Sequence, residues 1–132
     1  MENYPVKVLL AFGETFDNND ALYKWLLNNG YPELAALSSC IRGSREAFQW
    51  LMVNGYPQLA ALDNAIDNDV KALLWLRQHN FDFLVVFANA CNRDPEAIAF
   101  LRQNDLEIFI HLSHKINQFR DSQHFDYHKL HF

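Results

Sequence analysis

The sequence is short of the residues that punctuate or staple a chain. Its 132 residues include only four Gly, four Pro and two Cys, which argues against fibrous and disordered classes and against a fold that depends on disulfides. No apolar run approaches the ~18 residues of a membrane span. No basic cluster occurs either. Eleven Lys and Arg stand against sixteen Asp and Glu, a formal charge of −5, which disfavours nucleic acid as a partner. The opening Met1-Glu2-Asn3-Tyr4-Pro5 lacks the basic region and apolar stretch of an export signal, so a cytoplasmic location is expected. Gly-x-Ser-x-Gly elbows, Walker loops, His-Glu-x-x-His and Cys-x-x-Cys are all missing. No cofactor is expected. What remains is a half-hydrophobic chain of one domain's length, able to bury roughly 68% of its unfolded surface without metal or disulfides.

The dominant feature is an internal repeat. Trp25, Trp50, Trp75 and Phe100 recur every 25 residues, each followed by Leu26, Leu51, Leu76 or Leu101. The blocks 20–44, 45–69, 70–94 and 95–119 superpose without a gap, with Leu27 to Leu37 closely matching Met52 to Leu62. Each block reads as two short helices. The first is expected to open on Asn19, Ser44, Asp69 or Asp94, whose side chains can accept from first-turn amides, and to close on Gly30, Gly55, Asn80 or Asp105, which tolerate a left-handed cap. Pro32 and Pro57 open a second, Ala/Leu-rich helix, and the second helices are expected to end near Ile41, Ile66, Cys91 and Ile116. Taken alone, Phe81 to Phe87 has the composition of a strand, yet Leu84 and Phe87 fall in the columns of Leu59 and Leu62, and the phase predicts helix.

The ends follow the same phase. Residues 6–19 match a second helix whose first is absent and are expected to form an amino-terminal cap. Residues 120–132 are expected to be a carboxy-terminal cap or tail. The whole is predicted to be a single all-α domain, an α/α solenoid of about four 25-residue helical hairpins with that capping helix.

The units resemble ankyrin repeats shorn of their β-hairpin loop. The resemblance rests on the Val70-Lys71-Ala72-Leu73-Leu74-Trp75-Leu76-Arg77-Gln78-His79-Asn80 type of helix ending in a cap, and on the Ala/Leu-rich helix beside it. It covers about Val6 to Phe119. A unit of 25 residues in place of ~33, and the absence of a Thr-Pro-Leu-His start, mark the departure. The resemblance implies a stacked helical array that holds another protein, with no catalytic residues to carry over.

Several side-chain groups are candidates for function. The Trp column is expected to be core, a spacer packing each unit on the next. Cys40 and Cys91, in adjacent columns two units apart, are expected to be free buried thiols. His111 and His114, with His124, His128 and His131, have spacings that can ligate zinc, although a solvated polar tail is the plainer reading. Two rows of second-helix residues, Ser39, Asn64, Asn89, His114 and Arg42, Asp67, Asn92, Asn117, are expected to project from the apolar stripe as a composite polar surface. Beside them Phe83, Val86 and Ile108 form an apolar patch expected to meet a partner, a second copy or the carboxy-terminal tail. The expected function is therefore a non-enzymatic protein-binding scaffold using the ridge of second helices. The rivals are a small metal-dependent hydrolase or metal-binding regulator built on the histidines, and a homo-oligomer joined through the Phe83 patch.

Overall fold

The computed structural model describes the backbone of residues 1–130 and the side chains of residues 1–123, so the expectations for His124, His128 and His131 lie outside the described side chains. Among the described residues the regular elements are helical: α1 Val6–Glu14, a 3-10 turn Thr15–Asp17, α2 Asp20–Asn28, α3 Pro32–Ile41, α4 Arg45–Val53, α5 Pro57–Ile66, α6 Val70–Gln78, α7 Asp82–Cys91, α8 Pro95–Gln103 and α9 Glu107–Leu130. Residues 81 to 87 contain no strand. Their phase in the repeat prevails over their β-rich composition, and α7 runs through them.

Local chemistry explains the boundaries. Asn19, Ser44, Asp69 and Asp94 each accept a hydrogen bond from a first-turn amide, at 3.2 Å from Leu22 N, 3.1 Å from Ala47 N, 2.9 Å from Lys71 N and 3.1 Å from Glu96 N. Each such cap stabilises its helix by about 1 kcal/mol. The same four helices stop where Gly30, Gly55, Asn80 and Asp105 take φ of 88°, 89°, 64° and 57°. That turn lets Tyr31, Tyr56, Phe81 and Leu106 donate their amides back to Leu26, Leu51, Leu76 and Leu101 carbonyls at 2.8–2.9 Å, which satisfies carbonyls the helix leaves free. One residue before each turn, Asn29, Asn54 and Asn104 donate Nδ2 to the carbonyl four residues back. His79 Nδ1 makes the equivalent bond to Trp75 O at 2.8 Å, and because a carbonyl only accepts, the proton sits on Nδ1.

The second helices have a stop column of their own. Asn18, Gly43, Asn68 and Arg93 take φ of 61°, 106°, 66° and 64°, again 25 residues apart, so the stop after α1 falls in the same column as those after α3, α5 and α7. The next position is Gln118, where the chain stays helical. Hence α9 runs to Leu130, well past Ile116.

Burial divides the helices into two sets. α2, α4, α6 and α8 bury little beyond Leu26, Leu51, Leu76 and Leu101, all completely enclosed. The other five carry two unbroken buried columns: Leu9, Leu34, Leu59, Leu84, Phe109 and Phe12, Leu37, Leu62, Phe87, Leu112. At about 1.5–3 kcal/mol per buried side chain these three columns are the main source of stability. A third position on the same helices is small and buried, as at Gly13, Ser38, Ala88 and Ser113, which permits close helix approach. Asp63 is the exception in that column.

The packing order follows the chain and then returns. α1 touches α3, α3 touches α5, α5 touches α7, α7 touches α9, and α9 packs directly on α1; each of α2, α4, α6 and α8 lies against the two inner helices that flank it. The five inner helices therefore form a ring around the Leu and Phe columns. An open array would leave α1 as a terminal cap, far from α9. Instead a Cβ on Gly13 would stand 2.9 Å from Leu112 Cδ2, Phe16 and Phe119 rings lie 6.2 Å apart, and Lys115 Nζ bonds to Asp17 and lies 3.4 Å from Glu14. Glycine in α1 is what lets these helices meet so closely.

The Trp column is not core, contrary to expectation. Trp50 is 37% and Phe100 44% exposed, and Trp25 and Trp75 are half-buried. Each indole stacks on the aromatic residue that opens the second helix of its own unit: Trp25 on Tyr31 at 6.4 Å, Trp50 on Tyr56 at 6.1 Å and Trp75 on Phe81 at 6.0 Å, with interplanar angles of 15°, 7° and 9°. The tryptophans brace the hairpin turn and leave an edge in solvent. The leucine beside each one is the core residue.

Candidate binding face

The two polar rows differ in what the fold does with them. Ser39, Asn64 and Asn89 are half-buried and His114 is exposed; among these, Ser39 bonds to Tyr23 Oη at 2.9 Å. The second row is largely an internal brace. Arg42 donates Nε to Ser38 O and lays its guanidinium 5.5 Å from the Tyr23 ring centre. Asn92 donates Nδ2 to Ala65 O at 3.2 Å, one unit back, and to Ala88 O at 3.1 Å. Asn117 is buried and accepts from Arg120, which also donates to Cys91 O and sits 3.4 Å from Asp67. These bonds satisfy carbonyls at the ends of α5 and α7, so Asn92 and Arg120, the latter steadied by Asn117, are committed to holding successive inner helices together.

Ser39 borders a groove whose equivalent lies in the preceding unit. One, of about 240 Å³, is lined by Lys7, Leu10, Ala11, Glu14, Leu22 and Trp25. A second, of about 370 Å³, is lined by Pro32, Ala36, Ser39, Ala47 and Trp50 together with Tyr23, Leu27, Ser44 and Glu46. Lys7 and Pro32, Ala11 and Ala36, Glu14 and Ser39, Leu22 and Ala47, Trp25 and Trp50 are 25 residues apart, so these are one groove in two successive units. An alanine on the inner helix makes its floor and an indole edge its wall. Lys7 Nζ lies 5.7 Å from the Trp25 ring centre, a cation–π contact at the rim. The sequence alone marked the tryptophans and the Ser39 row but not the groove between them, because periodicity places side chains on an arc without showing what covers it.

A more polar groove of about 510 Å³ is lined by Cys40, Ser44, Arg45, Phe48, Gln49, Asp63, Asn64 and Asp67 among others. Its counterpart fifty residues on, about 360 Å³, holds Ala90, Arg93, Ile98, His114, Asn117, Gln118 and Asp121. Asp63 is the residue that sequence reading missed. Burial pushes its carboxyl up to about 6, against the lowering effect of the Cys40 thiol hydrogen-bonded to it. The available signal was its column, in which Gly13, Ser38, Ala88 and Ser113 are small and uncharged.

Cys40 and Cys91 are free and buried, as expected. Burial raises both thiols, Cys91 to about 12, so they stay protonated and are poor nucleophiles. His111 and His114 are exposed, and among the described residues no group of three His, Cys, Asp or Glu side chains is placed to hold an ion. Asp121, ten residues after His111, pairs with Arg93 at 2.7 Å.

Phe83, Val86 and Ile108 are half-buried. Phe83 meets Phe109 edge to face at 4.7 Å, and its remaining surface lines a cavity shared with Met1, Glu2 and Tyr4. Part of the patch expected to seek a partner is thus taken up by α9. No helix is long and apolar enough to cross a membrane among the described residues. Comparison with protein-family models, with curated proteins and with solved structures finds no match.

Proposed function

We propose that the chain is a non-enzymatic scaffold that holds a protein partner, built as an ankyrin-like α/α solenoid of 25-residue hairpins whose ends have closed on each other. The observation that carries this reading is the groove repeated between successive units, with a constant frame of Ala11 or Ala36 and Trp25 or Trp50 and a varying polar side chain, Glu14 or Ser39, at its edge. A constant frame with a variable rim is how one architecture presents different chemistry to different partners. Half-exposed indoles are apt anchors, since Trp is enriched among residues that dominate binding energy and is largely ordered before contact.

Asp63 supports the same face. A carboxylate in a column of small side chains costs stability, and rules of local consistency are broken most often where function requires it. The contact surface on this reading runs along Ser39, Asn64, Asn89 and His114 with the neighbouring tryptophans, while Asn92, and Arg120 with Asp67, tie together the inner helices that carry it and Arg42 packs on Tyr23. Phe83, Val86 and Ile108 lie beside this surface.

The test is affinity capture from native lysate with three baits: the wild type, Asn64→Ala/Asn89→Ala, and Trp50→Ala. The reading expects a protein retained by the wild type and lost from both variants while their circular dichroism is unchanged. Equal capture by all three baits would remove the face.

A further inference from the structure

At the end of the ring where the inner helices begin, a cavity of about 270 Å³ combines aromatic side chains with carboxylates. Tyr4, Tyr56, Phe81 and Phe83 line it, with Glu2 and Asp82 beside them. Met1, Gln58 and Asn80 also line it, and no Lys, Arg or His side chain does. Three of the four rings are held in place from behind or from the side: Tyr56 by Trp50, Phe81 by Trp75 and Phe83 by Phe109. Tyr4 donates its hydroxyl to Glu33 Oε1 at 2.9 Å, which fixes the fourth. Preset aromatic walls under a negative rim attract a cation through the ring quadrupoles and through the carboxylates together, and fixing the rings beforehand lowers the entropy lost on binding.

We propose that this cavity binds a methylated ammonium group, of the trimethylammonium type carried by choline or by a trimethylated lysine side chain. The volume suits one such group rather than a drug-sized molecule. Its chemistry also separates methylated from primary ammonium. A primary ammonium must replace its hydrogen bonds to water with the few polar side chains present, Glu2, Asp82, Gln58 and Asn80, whereas a methylated cation is weakly hydrated and needs no such partners. This site goes beyond the scaffold reading and does not depend on it.

The experiment is a titration followed by the ring-proton resonances of Tyr4, Tyr56, Phe81 and Phe83, using choline, its uncharged carbon analogue neohexyl alcohol, and a short peptide carrying either trimethyllysine or unmodified lysine. The expected result is that choline and the trimethyllysine peptide shift these signals and bind about tenfold more tightly than neohexyl alcohol and the lysine peptide respectively. Whichever of the two methylated probes binds more tightly identifies the source of the group. Glu2→Gln/Asp82→Asn, which leaves every ring in place, should weaken choline several-fold without altering neohexyl alcohol, and Tyr56→Leu should weaken both. Equal binding of choline and neohexyl alcohol, or no shift with any probe, would overturn the proposal.

Discussion

Replacing Asp63 by Asn should stabilise the protein at neutral pH and do nothing for it in acid. The carboxyl stands where the repeat elsewhere places Gly13, Ser38, Ala88 and Ser113, and burial lifts it from 3.8 to about 6. Because the folded state holds this proton more tightly than the unfolded chain, the penalty is absent below about pH 4, grows as pH rises through 4 to 6, and is complete above that. By linkage the shift corresponds to at most about 3 kcal/mol at pH 7.5, and partial exposure to water brings the figure to about 1–2 kcal/mol. For a chain of this size that is about 3–8 °C in melting temperature. Thermal melts of wild type and Asp63→Asn at pH 7.5, 6, 5 and 4, followed by circular dichroism, measure it directly. The gain should be largest at pH 7.5 and vanish near pH 4. A variant no more stable than wild type at pH 7.5, or a gain that persists unchanged at pH 4, would refute the assignment of Asp63 as a carboxylate held under strain.

Other substitutions test the division between core and rim. Leu76→Ala should cost about 2–5 kcal/mol, because Leu76 is fully enclosed, whereas Trp50→Ala should cost distinctly less despite its greater size, since Trp50 is more than a third exposed; urea unfolding compares the two. Gly55→Ala, at φ of 89° with open space around the new methyl, should destabilise by about 1 kcal/mol from backbone conformation alone, and Asn80→Gly at the matching turn should be neutral or slightly stabilising. Cys40 and Cys91 should react with a thiol reagent only as fast as the protein opens, so a rapid reaction in the native protein would contradict their burial.

Most of the local structure was legible because each helix end is determined by a side chain whose chemistry is short-ranged. Asn19, Ser44, Asp69 and Asp94 cap from within three residues, and Gly30, Gly55, Asn80 and Asp105 turn the chain by their own backbone preferences. Phe81 to Phe87 could be assigned against its composition because Leu84 and Phe87 sit in established columns. What stayed hidden depends on distance. Lys115 and Asp17 are 98 residues apart, and nothing in a periodic pattern distinguishes an array whose ends separate from one whose ends meet. Arg93 as a left-handed stop is likewise invisible, since its residue type gives no such preference. The Trp column misled because apolar size suggests enclosure, while each indole stacks on an aromatic ring of its own unit and is only partly covered otherwise. Ser39 and Asn64 were legible as surface, but that Asn92 bonds to a carbonyl 27 residues earlier requires coordinates.

The contact between α1 and α9 is the feature on which the ring rests. In a Cys40→Ala/Cys91→Ala background, spin labels at Leu10→Cys on α1 and Gln118→Cys on α9, both exposed positions, report it by pulsed electron resonance. Closure predicts a single narrow distribution centred below about 25 Å. Four inner-helix steps of about 9 Å each in an open array would place α1 and α9 about 36 Å apart, and a distribution centred near that value would contradict the fold described here and the recurring groove derived from it.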